Sequence, residues 1–245
     1  MTAPRLFNAH THLRNYPGGA ESAGSRAASS GVRLALCAGT GPEDWGKVSL
    51  LASGRPDVMP CFGLHPWFIE KAGAGWLPLL EKFLTGAPSC VGEIGLDKAA
   101  DPDLRRQEAA LRAQLRLAVR LARPVIIHCV RAWGALVDIL KEERPPAFMV
   151  HAYGGPAEIT AELARLGGYF SFGGDLTAPG RARMRKALLA APPDRLLFET
   201  EAPSPAELTE VLGQAAALLG MFPGVLGEMS WNNARSFLGE IFPEL

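Results

Sequence analysis

DLRRQEAALRAQLRLAVRLARPVIIHC, residues 103–129, contains one complete structural unit of this chain. Asp103 is a residue type that accepts hydrogen bonds from the free amides at a helix start, and Leu104, Leu111, Leu115 and Ala118 follow at helical spacing. Pro124 cannot continue that helix, and Val125, Ile126 and Ile127 are β-branched and apolar, the signature of a buried strand. The strand then ends on His128. Helix, break, short apolar strand, and a polar residue able to bind metal at the strand's end is an order that recurs along the whole chain.

Working outward, strands are expected at residues 5–8, 33–38, 58–64, 89–94, 125–129, 147–151, 168–172 and 195–199. Amphipathic or Ala/Leu/Arg-rich stretches separate them, at residues 20–30, 42–53, 76–85, 103–122, 132–143, 157–166, 181–189 and 204–219. Strands alternating with helices imply parallel strands and right-handed crossovers. Eight such units in 245 residues match an α/β fold, a single (β/α)8 TIM barrel with its active site at the C-terminal ends of the strands. One domain is therefore expected over residues 1–245. A doubly wound open sheet is the alternative, and no glycine-rich phosphate loop follows the first strand to support it. Residues 223–242, PGVLGEMSWNNARSFLGEIF, read as a terminal helix packed on the outside.

Lys and Arg together number 25, as do Asp and Glu, so the formal net charge is zero. That excludes a protein that coats nucleic acid through many phosphate contacts, but not an enzyme that grips a short stretch locally. The N-terminal residues lack the apolar core of a signal peptide, and no apolar run approaches the ~20 residues of a membrane span. A cytoplasmic protein with no membrane association is expected, a monomer with no obligate protein partner. Cys37, Cys61, Cys90 and Cys129 are far apart and lie in or beside apolar runs, where free cysteine behaves as a small buried hydrophobe. Alternation along the strand should turn Cys129 away from the face His128 uses.

All five histidines sit at or just past the end of an apolar run: LFNAHTHL (His10, His12), VMPCFGLHPW (His65), PVIIHC (His128) and AFMVHAY (His151). Glu93 in SCVGEIG and Glu201 in RLLFETEAP are placed the same way. In a barrel, all of these lie at the mouth. His10 and His12, two residues apart on a strand, share a face. Two imidazoles with carboxylates suit a divalent ion, and further carboxylates suit two ions sharing a bridge, for which Glu93 is placed. His128 and His151 fall on neighbouring strands, and Glu201 follows the last strand, beside the first once the barrel closes. Such a centre activates water for hydrolysis, with Glu201, next to the His10/His12 pair, as the proton acceptor. His65, followed by Pro66, reads either as a site residue or as a structural histidine at a turn.

In order along nearly the whole chain, NAHTHL, GLHPW, VGEIGLD, RRQEAALRAQLRLA, RPVIIHC, MVHAYGG, FSFGG, LLFETEAP and NNARSFLG resemble the TatD family, metal-dependent deoxyribonucleases on a (β/α)8 barrel within the amidohydrolase superfamily. The resemblance implies two divalent metal ions (Zn2+, Mg2+ or Mn2+), one held by His10, His12, Glu93 and Glu201, the other by Glu93, His128 and His151. It places His65 against the scissile phosphate as a substrate contact, and it implies DNA as the substrate, cut from a 3′ end. Other proteins of similar sequence are connected with ester hydrolysis on aminoacyl-tRNA, so an ester or amide substrate is the alternative, and a weakly catalytic metal-binding barrel is a third.

Three positions depart from the family pattern. Asn8 stands where Asp is usual, which alters support around the histidine pair. E-T-E-A-P replaces E-T-D-x-P, so Glu201 is one methylene longer than expected, with Glu199 as a substitute ligand. Val130 stands where a basic phosphate contact is frequent, and Arg131, one position along, should point elsewhere.

Overall fold

The computed structural model describes residues 5–12, 31–100, 103–174, 176–201 and 208–244. Every expected strand forms: β1 (Leu6–Thr11), β2 (Val32–Gly39), β3 (Val58–Phe62), β4 (Cys90–Asp97), β5 (Val125–Val130), β6 (Phe148–Val150), β7 (Tyr169–Gly173) and β8 (Leu196–Glu199). They make one sheet in chain order, each paired in parallel with the next. β1 and β8 lie side by side, so the sheet curls into a nearly closed barrel. Around it run α1 (Pro42–Ser53), α2 (Trp76–Gly86), α3 (Leu104–Leu121), α4 (Trp133–Glu143), α5 (Ala157–Arg165), α6 (Ala182–Ala190) and α7 (Leu208–Leu219), followed by α8 (Pro223–Leu238). The helix expected at residues 20–30, and residues 204–207 of the one expected at 204–219, lie outside the described residues. Among the described residues no single helix is long and apolar enough to cross a membrane.

The strands are apolar on both faces because each face is covered, as parallel sheets require. Outward side chains such as Val91, Ile94, Val125, Ile127 and Val150 pack beneath the helices. Inward ones, among them Phe7, Leu34, Leu36, Met59, Ile126, Met149 and Leu197, fill the barrel. α8 corrects one expectation. It does not simply pack outside: Trp231, Ala234, Phe237 and Leu238 join the inward cluster. Arg5, just before β1, lies 5.3 Å from the Trp231 ring, so α8 plugs the end where the strands begin. A barrel interior lined with large apolar side chains must be shielded from water at that end, and the apolar side of α8 does so.

Two residues further along β5, β6, β7 and β8, the inward row turns polar. Ile126 gives way to His128, Met149 to His151, Tyr169 to Ser171 and Leu197 to Glu199. The barrel is thus an apolar plug below and a polar basin above.

Three strands depart from simple alternation, β2 by one extra residue where Val32 and Leu34 stand opposite Leu6 and Phe7. Asn8 and Thr11 stand opposite Ala35 and Cys37, so β1 carries one residue more than its partner over that interval. Val91 and Ile94 stand opposite Val125 and Ile127, so β4 does the same. An extra residue re-aims the side chains beside it. The one in β1 lies at His10 and the one in β4 at Glu93. The seam between β1 and β8 is joined by a side chain: Asn8 Nδ2 donates to Thr200 Oγ1 (2.8 Å), and Asn8 Oδ1 accepts from the Thr200 amide (3.2 Å).

Candidate active site

Glu93 occupies the centre of the basin and is buried. Its Oε2 lies 3.4 Å from Nε2 of His10 and 3.4 Å from Nε2 of His12. Its Oε1 faces the opposite group, 2.8 Å from His151 Nε2, 3.1 Å from His128 Nδ1 and 3.1 Å from His65 Nε2. Glu201 closes the first group, its Oε1 3.6 Å from His12 Nε2 and 3.8 Å from His10 Nε2, with Oε2 3.7 Å from His151 Nδ1. All seven residues singled out from the sequence therefore meet in one place.

Hydrogen bonds outside the basin fix which ring nitrogen of His12, His128 and His65 faces it. His12 Nδ1 donates to the Ala38 carbonyl (3.1 Å), which turns Nε2 toward Glu93. His128 Nε2 lies 3.4 Å from Asp97 Oδ2, which turns Nδ1 toward Glu93. His65 is the reverse case. Its Nδ1 accepts from the Trp67 amide (3.2 Å), so Nε2 carries the proton and presents a donor to Glu93. His10 and His151 have rings stacked 4.1 Å apart, and the Nδ1 atoms of both are buried with no hydrogen-bond partner among the described residues.

These donors form compact sets able to hold a metal: His10, His12 and Glu93; His10, His151 and Glu201; His65, Glu93 and His128. The inward-facing nitrogens and carboxylate oxygens stand mostly 3.3–3.8 Å apart. Ligands at about 2.1 Å from a shared ion are roughly 3.0–3.5 Å from one another, and mixed imidazole and carboxylate donors suit Zn2+, Mn2+ or Mg2+. The residues fit such an ion, with His65 presenting N–H rather than a lone pair.

Electrostatics follow from this crowding. Burial alone would raise the Glu93 carboxyl, but the His151 charge and hydrogen bonds from His10, His12 and His128 hold it well below the usual carboxylate range. Burial opposes charge on His151, yet Glu93 and Glu199 hold its imidazole well above the ordinary value. Burial lowers His65.

Four supports were not singled out in the sequence. Asp97 Oδ2 accepts from Trp67 Nε1 (2.6 Å) as well as facing His128, and its Oδ1 accepts from the Ala99 amide (2.8 Å). Ser171 donates to Glu199 Oε2, and the Ala152 amide donates to Oε1 (3.1 Å). Glu199, proposed from sequence as a substitute ligand, is thus committed below the site and lies beside His151 (3.7 Å). On α3, Gln107 accepts from the Asp97 amide (2.7 Å) and donates to its carbonyl (2.9 Å). Gln114 does the same for Leu64, at 2.7 and 3.2 Å, and so fixes the residue before His65. Two glycines permit the close approach of strands here. A Cβ on Gly95, at φ 153°, would lie 1.9 Å from the His128 carbonyl oxygen, and one on Gly173 would lie 2.7 Å from Glu199 Cγ.

The basin opens into a cavity of about 450 Å³ lined by the site residues other than His10, together with Thr40, Trp67, Phe68, Cys129, Val130 and Ala152. No Lys or Arg is among those described lining residues. Val130 faces the cavity while Arg131, in a left-handed conformation (φ 54°), is exposed beside it. Cys129 packs mainly against the outer cluster, and burial pushes its thiol up to about 12. On α6, Arg185 is a loop staple, donating to the carbonyls of Leu176 and Ala178 (both 2.9 Å).

Comparison with known proteins adds the following. Residues 7–239 match the family described as TatD related DNase. The chain is 34% identical over 206 residues to the metal-dependent hydrolase YjjV of Escherichia coli (strain K12), covering 81% of this chain and 80% of that one. It is 30% identical over 242 residues to the 3′-5′ ssDNA/RNA exonuclease TatD of Klebsiella pneumoniae (strain 342), covering 88% and 90%. The crystal structure of the YjjV TatD homologue from Escherichia coli superposes with a TM-score of 0.86 at 27% identity, over 96% of this chain and 98% of that one. A TatD family hydrolase from Entamoeba histolytica shares the fold with a TM-score of 0.83 at 16% identity, over 98% and 99%.

Proposed function

The chain belongs to the TatD related DNase family and is a metal-dependent hydrolase of ester bonds, and from that premise we propose that it cuts phosphodiester bonds at DNA ends with two divalent ions. The single observation that carries this reading is the division of Glu93, one oxygen toward His10 and His12, the other toward His128 and His151. His10, His12, Glu93 and Glu201 would hold one ion, and Glu93, His128 and His151 the other. Zn2+, Mg2+ or Mn2+ bound there would acidify water and neutralise charge developing on a phosphoryl group.

The remaining roles belong to the chain's own side chains. Glu201 is the proton acceptor: its side chain is 43% exposed at the mouth, within 3.8 Å of both His10 and His12. His65, with its proton on Nε2, contacts an anionic oxygen of the substrate. Asp97 and Glu199 orient His128 and His151, as outer carboxylates do for metal-binding imidazoles. The whole chain acts as one barrel in this reading, without a protein partner.

The test is cleavage of single-stranded and 3′-overhang DNA with Mg2+, Mn2+ or Zn2+. Activity is expected from the parent, with loss of at least about 100-fold in His10→Ala and Glu201→Ala. No cleavage with any of the three ions, in protein shown to bind metal, sinks the DNA reading. Cleavage that survives Glu201→Ala removes Glu201 as the proton acceptor. One observation favours a second reading, hydrolysis of an ester or amide such as aminoacyl-tRNA: no Lys or Arg is among the described cavity-lining residues. Turnover of such a substrate without DNA cleavage selects it.

A further inference from the structure

A single exposed aromatic residue needs no special explanation, but Trp67 at the cavity rim is held in a way that ordinary surface residues are not. It is 55% exposed. Its indole N–H donates to Asp97 Oδ2 at 2.6 Å, and its backbone N–H donates to His65 Nδ1 at 3.2 Å. The rings of His65 and His128 meet it nearly at right angles, with centroids 5.0 and 6.1 Å away, and neither is stacked on it. Both of its N–H donors are therefore used up on site residues, and a large flat surface is fixed beside the metal-binding donors. An aromatic ring fixed in advance loses little further freedom when a ligand stacks on it.

We propose that Trp67, with Phe68 beside it, is the platform on which a base flanking the scissile phosphate stacks. This rests on the nucleic-acid reading above. The phosphate's charge would be met at the His/Glu centre, and a base stands one sugar away from its phosphate. Beyond the His/Glu centre the cavity walls are Thr40, Trp67, Phe68, Cys129, Val130 and Ala152, with no Lys or Arg among the described lining residues. Grip on a nucleotide then comes from its base, because every base has a π-face and stacking tolerates any sequence. Val130 removes an ionic contact from the mouth, and the aromatic shelf supplies a non-ionic one.

The experiment uses the metal-loaded full chain and three oligonucleotides. One is intact, and two each carry a tetrahydrofuran abasic residue on one side of the scissile phosphate. Trp67→Leu should lower kcat/KM on the intact strand roughly 5- to 150-fold, mainly through KM, with metal content unchanged. On one of the abasic strands Trp67→Leu and parent should be equal, which also identifies the stacked base. Trp67→Phe should retain most of the activity, since a phenyl ring stacks but cannot donate to Asp97. The proposal is overturned if Trp67→Leu matches the parent on intact DNA, or if its deficit persists on both abasic strands. It is overturned as well if Trp67→Phe is as poor as Trp67→Leu, because Trp67 then acts through Asp97. A parent protein that cleaves no oligonucleotide overturns the nucleic-acid reading, and this inference with it.

Discussion

Glu93 and His151 oppose each other's ordinary titration. Burial works against charge on both, yet each holds the other ionised, the carboxyl lowered and the imidazole raised. An ion binding His151 through Nε2 must displace that proton, so proton and metal compete for one nitrogen. Because the imidazole is raised above its usual value of about 6.5, apparent metal affinity should keep rising with pH above that value and not level off there. Calorimetry in two buffers of different ionisation enthalpy measures the proton released, and an affinity flat above about pH 6.5 would contradict the linkage. His65 differs from its neighbours by one hydrogen bond, the Trp67 amide on Nδ1. His65→Ala should therefore keep the full metal content, whereas His128→Ala should lose an ion. Elemental analysis of the two folded variants distinguishes them, and equal loss in both would return His65 to the ligand set. Glu201 reaches the site from a left-handed backbone (φ 53°), with Oε1 3.6 Å from His12 Nε2.

At the scale of elements, α3 acts as a two-pronged support. Gln107 and Gln114 lie two helical turns apart on one face, and each satisfies both backbone groups of a residue where a strand ends, Asp97 for β4 and Leu64 just after β3. Gln114→Leu leaves the Leu64 amide and carbonyl buried without those partners, at a cost of about 2–4 kcal/mol. Denaturant unfolding should show that loss, and kcat/KM should fall with it because His65 is next in the chain. Unchanged stability would mean that the two groups find other partners. The strands were legible from apolar runs, and the histidines with Glu93 and Glu201 from their place at the ends of those runs. The extra residues in β1 and β4 were not, because register is decided by the partner strand. Asp97, Ser171, Gln107 and Gln114 were not legible as supports, since they act by hydrogen bonds to groups distant in sequence, and a carboxylate or amide carries no local mark of that. Nor did periodicity reveal the 3-10 turn Pro66–Lys71 that presents Trp67.

For the whole molecule, the two ends of the barrel differ, with an apolar plug below and a charged basin that opens outward above. Phe237 is 1% exposed and packs on Tyr169 at 5.3 Å inside the plug. Phe237→Ala should cost about 3–5 kcal/mol, lowering the melting midpoint by roughly 6–20 °C while leaving the folded enzyme's metal affinity intact. Scanning calorimetry and metal titration below the transition check both halves, and a loss of affinity in fully folded protein would show that the two ends are coupled. The seam between β1 and β8 has a consequence for the order in which the molecule comes into being. Asn8 and Thr200 meet across 192 positions of chain, and His10 and His12 lie on one side of that join with Glu201 on the other. Until the ribosome has made residue 201, the first strand has no last strand to meet and the basin lacks one wall. An ion held by His10, His12 and Glu201 would clasp the join itself. The nascent polypeptide therefore emerges without a working centre, and the capacity to cut arrives together with the closing of the ring.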